Sequence, residues 1–247
     1  MARDCQTLTT YSKILDLKPI SGAAHGYAGI IYFILHFWDE IFLDDRLRFK
    51  LANSNMKQFL QRYGDSPKQS ILKLLMNTLE YCLTFCFGDN DSINIPAAVG
   101  DAVGDELVHW CHGAPGWILV FIHPFIQNYS FSLPTQTSPK CLTGLEIAKK
   151  MGNCVWKKGL LKPQGLSLCH GIGGNGLALK SLYNVTRDEI WLKRAYCFAD
   201  FGIDNFNHLK NVPDNPNSLF EGIAGFGLFL STFSDPSIHE TLKCFPL

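Results

Sequence analysis

Trp110-Cys111-His112-Gly113-Ala114-Pro115-Gly116 and Leu168-Cys169-His170-Gly171-Ile172-Gly173-Gly174 are two versions of one turn, 58 residues apart. Each sets a Cys-His dipeptide before a G-x-x-G step, and each leads into an apolar run. Two further turns share the pattern without the cysteine: His25-Gly26-Tyr27-Ala28-Gly29 and Glu221-Gly222-Ile223-Ala224-Gly225. The final glycines of the four turns are spaced by 87, 58 and 51 residues. A period of that size marks a repeat whose units bury their apolar faces only against their neighbours. The longer first interval predicts an insertion, placed at residues 43–65, which are more charged than their surroundings.

Each turn runs into an apolar stretch of helical length: Tyr27–Phe37, Trp117–Gln127, Gly176–Tyr183 and Phe226–Phe233. With little polar face, these read as buried helices. Between them Ser70–Cys86, Thr143–Trp156 and Arg187–Phe206 are amphipathic. The last of these opens on Thr186-Arg187-Asp188-Glu189, the pattern of a capping box. Strand alternation is not sustained anywhere. The expected fold is therefore all-α, an α/α toroid of helical hairpins. Buried helices would form an inner ring, amphipathic ones an outer ring, and the G-x-x-G turns would gather at one mouth. Glycine suits that place because it permits positive φ and close backbone approach. Helix N-termini facing the mouth would favour anions and lower thiol pKa values. The proline-rich spots mark loops rather than boundaries, so residues 1–247 read as a single domain.

The 22 basic and 22 acidic residues cancel, which removes the basic field that nucleic-acid binding needs. A hydrophobic share of 47% and a charged share of 18% place the chain in the globular range. The spacing of the nine cysteines does not suggest a disulfide framework, and the polar N-terminus with Arg3 and Asp4 is unlike a signal peptide. The expected setting is reducing and cytoplasmic. The longest apolar stretch, Gly26 to Trp38, is shorter than the ~20 residues that a membrane span requires.

Cys111, Cys169 and His170 form the sharpest constellation. Two thiolates and one imidazole make a three-ligand zinc site with an open fourth position. The competing reading is a set of small residues buried at tight turns, a common place for cysteine. Repetition of Cys-His-Gly in one register favours the metal. His25 holds the same repeat position as His112 and His170. An imidazole there could deliver a proton to a carbanion or enolate, or simply cap its turn. His112 could orient a substrate or support its neighbouring ligand, while His109 is less well placed. Glu221 fills the equivalent position in the fourth turn, where it could bind an amine or cap the turn. Cys82, Cys86, Cys154 and Cys197 lie on helical patterns and read as core.

The motifs Gly22-Ala-Ala-His-Gly26-x-Ala-Gly29, His109-Trp-Cys-His-Gly-Ala-Pro-Gly116, Leu168-Cys-His-Gly171 with Gly174-Asn175, and Ser218-Leu-Phe-Glu-Gly-x-Ala-Gly225 resemble those of the eukaryotic LanC-like proteins. These are relatives of the bacterial lanthionine synthetase C cyclases. The resemblance runs from about Gly22 to Phe233. It implies a toroid of seven helical hairpins, of which this chain would hold the C-terminal part as an incomplete ring, truncated on its N-terminal side. It implies zinc on Cys111, Cys169 and His170, with glutathione as the bound thiol. The implied reaction adds that thiol to dehydroalanine or dehydrobutyrine residues of a peptide or protein. His25 would protonate the enolate, and His112 would stand where the bacterial enzymes carry a tyrosine. Glu221 and Lys162 are the candidate glutathione contacts, although the stretch from Lys162 to Ser167 departs from the family pattern. The alternative function is a non-catalytic zinc-binding adaptor or receptor module, with peripheral association at the plasma membrane. A toroid glycosidase would need paired carboxylates at the mouth, and only Glu221 qualifies.

Overall fold

The structure is a computed structural model that describes residues 19–43, 67–100, 107–133, 140–160, 165–212 and 215–235. In chain order its elements are helices α1 Tyr27–His36, α2 Trp38–Leu43 and α3 Pro67–Leu83, strands β1 Phe87–Gly88 and β2 Ile93–Asn94, helix α4 Ala114–Phe121, strands β3 Ser130–Leu133 and β4 Lys140–Thr143, and helices α5 Gly144–Lys158, α6 Ile172–Thr186, α7 Glu189–Asp204, α8 Phe206–Leu209 and α9 Ile223–Ser234. Lys162 and residues 44–65 of the expected insertion lie outside the described residues.

The four apolar runs become α1, α4, α6 and α9. Each begins immediately after the first glycine of its turn, which serves as the N-cap residue. The chain therefore changes direction at the same point in every repeat. These inner helices pack in series, α1 on α4, α4 on α6 and α6 on α9. The amphipathic α5 lies against α4 and α6, and α7 lies against α6. This is the alternation of inner and outer helices that the repeat predicts.

Burial follows position in the series. Every residue of α4 is buried, as is α6 from Ile172 to Leu182. Their apolar faces have neighbours on both sides, and burying such a side chain is worth about 1.5–3 kcal/mol. The first and last inner helices each keep one face open. On α1, Ile30 is 59% and Phe33 55% exposed. Among the described residues no helix is long and apolar enough to cross a membrane.

Two local features differ from the sequence expectation. Thr186 does not open α7; it belongs to the last turn of α6, where its hydroxyl donates to Leu182 O at 2.7 Å. Arg187 then ends α6 in the left-handed region, at φ 57°. Asp188 takes the N-cap of α7, accepting from Ile190 N at 3.1 Å. The capping box falls instead on α5. Thr143 Oγ1 accepts from Glu146 N at 3.2 Å, and the Glu146 carboxylate accepts from Thr143 N at 2.7 Å. Two short antiparallel hairpins also occur, β1 with β2 and β3 with β4. Phe131 of β3 lies edge-on to Phe121 of α4, with ring centres 5.5 Å apart, so the second hairpin is fastened to the inner ring. Thr143→Ala removes one half of the box and is expected to lower stability by about 1 kcal/mol, read from the urea midpoint.

Candidate metal centre

Backbone hydrogen bonds bring the turns together at one mouth. Cys111 N donates to Cys169 O at 3.0 Å, and Cys169 N donates to Phe220 O at 2.8 Å. The second turn is thus bonded to the third, and the third to the fourth. The first turn closes on the second by contact: a Cβ added at Gly22 would sit 1.8 Å from Cys111 O. Only glycine lets the two backbones approach so closely.

This stitching places the side chains that the sequence singled out. The Sγ atoms of Cys111 and Cys169 and a ring nitrogen of His170 all lie within 4.8 Å of one another. Zinc with Zn–S of about 2.3 Å and Zn–N of about 2.0 Å would hold such atoms roughly 3.5–3.8 Å apart in a tetrahedron. A small closure of the cluster meets that geometry, and the soft sulfur and imidazole donors match the ion. Cys111 is buried and Cys169 and His170 are half-buried, so the site opens to the mouth on one side.

The two thiols share a proton. The hydrogen bond from Cys111, aided by that from His170, lowers the Cys169 thiol to about 6 against the opposing pull of burial and of Glu221. The same hydrogen bond, together with burial, pushes Cys111 far up. One sulfur is therefore a thiolate near neutral pH and the other a thiol. A cation between them would relieve the desolvation and let both ionise.

Around this cluster, His112 is half-buried. Burial, and then the proximity of His25, lower its pKa, so it is neutral at neutral pH. Its Nδ1 is buried without a partner among the described residues. His25 is exposed at the rim. Glu221 lies close enough to Cys169 to oppose its ionisation, and its carboxylate accepts from Asn215 Nδ2.

Sequence patterns gave three neighbours too little weight. His109 is 5% exposed and its ring lies 6.4 Å from that of His170. Asn175 of α6, 1% exposed, donates through Nδ2 to Val108 O at 2.9 Å and Gly159 O at 3.0 Å. It thereby ties the segment leading to Cys111 to the end of α5. Asn94 of β2 bonds to both sides of the Cys111 turn. The last two act across long stretches of chain, which no local spacing signals.

The family model described as "Lanthionine synthetase C-like protein" matches residues 15–246. The zebrafish (Danio rerio) protein named "Glutathione S-transferase LANCL1" is 32% identical over 253 residues, covering 97% of this chain and 51% of that protein. The Arabidopsis thaliana "LanC-like protein GCL1" is 30% identical over 208 residues, covering 83% of this chain and 38% of the relative. Among solved structures, one titled "Nisin cyclase" superposes with a TM-score of 0.57 at 15% identity, over 96% of this chain and 52% of the other. That likeness shows the fold, an all-α toroid. This chain spans about half the length of the zebrafish relative. With its four turns, its Cys-Cys-His cluster and a family match over nearly its whole length, the chain belongs to the lanthionine synthetase C-like family.

Proposed function

We propose that this chain binds zinc through Cys111, Cys169 and His170 and promotes addition of a thiol, glutathione, to dehydroalanine or dehydrobutyrine residues of a peptide or protein. The observation that carries the reading is the three-donor cluster within 4.8 Å at the shared mouth of the turns. Bound zinc would supply Lewis acidity, holding an incoming thiol as its thiolate near neutral pH.

The chain's own residues supply the rest. Cys111, Cys169 and His170 leave the mouth side open for the incoming sulfur. Sulfur–carbon bond formation at the β-carbon moves the alkene electron pair into an enolate, and a proton must then reach the α-carbon. His25, exposed at the rim, would deliver that proton. His112 is neutral at working pH and can orient the electrophile or accept the thiol proton. Glu221 offers a carboxylate to the glutathione ammonium group, and Lys162 is the candidate partner for a glutathione carboxylate.

The test combines the 247-residue chain, zinc, glutathione and a dehydroalanine peptide, with the products read by mass. The expected result is a peptide one glutathione heavier, whose formation stops when zinc is chelated. Formation no faster than in the metal-free control overturns the catalytic reading. It would favour the second one, a zinc-binding module without catalysis.

A further inference from the structure

Three of the four turns close in the same way. The first amide of the inner helix bonds directly to the carbonyl seven residues upstream: Tyr27 to Ile20 at 3.2 Å, Ile172 to Gly165 at 3.1 Å and Ile223 to Pro216 at 2.7 Å. The second turn, which carries Cys111, departs from this. Its equivalent pair is Ala114 N–H and Leu107 O, and the carboxamide of Asn94 stands between them. Asn94 Oδ1 accepts from Ala114 N at 2.7 Å, and Asn94 Nδ2 donates to Leu107 O at 3.0 Å. An amide donor on one side and a carbonyl on the other leave only one orientation for the carboxamide. Asn94 is 1% exposed, so water does not compete for either bond.

A carboxamide and two hydrogen bonds thus replace the one direct bond of the other turns. The backbone of this turn differs as well. The N-cap glycines of α1, α6 and α9 are extended, at φ −139°, −112° and −133°. Gly113, at the start of α4, instead has φ 109°. A Cβ there would meet Leu107 O at 2.3 Å and Asn94 Oδ1 at 3.0 Å.

The turn that is wedged is also the one whose ligand stands alone. Cys169 and His170 are adjacent in the chain and arrive as a pair. Cys111 must be brought to them from another repeat. From this coincidence we infer that Asn94 is the positioning residue for Cys111, opening the second turn so that the Cys111 sulfur stands at coordinating distance from Cys169 and His170. The inference rests on the zinc reading above. Asn175 adds a second fixed point at Val108, three residues before Cys111.

Two variants test it. Asn94→Ala removes the wedge and lets Ala114 N–H bond directly to Leu107 O, as in the other turns. Asn94→Asp keeps an acceptor for Ala114 N–H and so keeps the start of α4, but sets an oxygen where Leu107 O needs a donor. Both are expected to bind zinc about 10–100-fold more weakly than the wild type in chelator competition. Cobalt-loaded protein should lose intensity in the thiolate charge-transfer band, which counts sulfurs on the metal. A role confined to stability would lower the unfolding midpoint and leave affinity and spectrum alone. Unchanged affinity and spectrum in both variants overturn the inference. So does loss in Asn94→Ala alone, which would make Asn94 a helix cap and nothing more. If Asn94→Ala does not fold, Asn94→Asp alone decides. A wild type that binds no zinc at all would instead overturn the metal reading. The wedge is then judged on metal-free protein by alkylation of buried Cys111, with Cys197 of α7, which is exposed and not in the core as its helical pattern suggests, as reference. A rise of tenfold or more in the variants supports it, and an unchanged rate overturns it.

Discussion

Cys111→Ala protein is expected to leave its zinc behind on gel filtration and to show affinity lower by roughly a thousandfold or more. Loss of a group that merely supports a ligand costs about 10–100-fold in affinity, and removal of one of three protein ligands exceeds that. The remaining pair, Cys169 and His170, is adjacent in the chain and would hold the ion as an exposed two-point chelate. Metal analysis after gel filtration, with chelator competition, checks the result. Full zinc occupancy in Cys111→Ala would sink the ligand assignment. The same variant carries a metal-free signature. The Cys169 thiol is held near 6 chiefly by its hydrogen bond from Cys111. Without that donor its pKa rises, its thiolate fraction at neutral pH falls, and its alkylation slows severalfold.

Zinc affinity is expected to rise steeply with pH. The ion takes both sulfurs as thiolates, and protons must leave to admit it. Cys111 is held protonated by its hydrogen bond to Cys169 and by burial, so loading at neutral pH displaces at least that proton. Each unit of pH between about 6 and about 8 should therefore add about tenfold or more to the affinity, at least about 100-fold across the interval. Below about 6 Cys169 is protonated as well, and the slope steepens. Acid thus weakens the site and base strengthens it. Competition titrations at a series of pH values, with calorimetry in buffers of differing ionisation enthalpy to count released protons, give the slope directly. A flat profile would exclude ligation by the thiols.

The inner helices and the pairing of the two Cys-His-Gly turns could be read from the sequence because both depend on local pattern. A glycine turn followed by an unbroken apolar run specifies where a buried helix starts, and the repeat register aligns Cys111 with Cys169 and His112 with His170. What escaped depended on choices between near-equal local signals or on contacts far apart in the chain. Thr143-x-x-Glu146 and Thr186-x-x-Glu189 satisfy the same capping pattern. The first forms a box and the second does not, because α6 runs on through Thr186 and ends at Arg187. The β3–β4 hairpin rests on four residues a side, too few for alternation to stand out. Asn94 precedes Ala114 by 20 residues and Asn175 follows Val108 by 67. At such separations an asparagine in the sequence looks like any other turn former. His109 gives no repeat signal because the other turns carry Gly22, Ser167 and Ser218 at that position, yet the fold sets its ring 6.4 Å from that of His170.

The hydrogen bonds that join neighbouring turns use the amides of Cys111 and Cys169 themselves. The atoms that could grip a metal and the atoms that lace the repeats to one another therefore belong to the same two residues. The second turn cannot separate from the third while both sulfurs stay on one ion. A metal held there would act as a clasp on the circumference of the ring. In repeat proteins, whose units otherwise open one after another from the ends, such a clasp would couple adjacent repeats into a single cooperative unit. The opening of that unit would become harder with free zinc concentration by simple mass action.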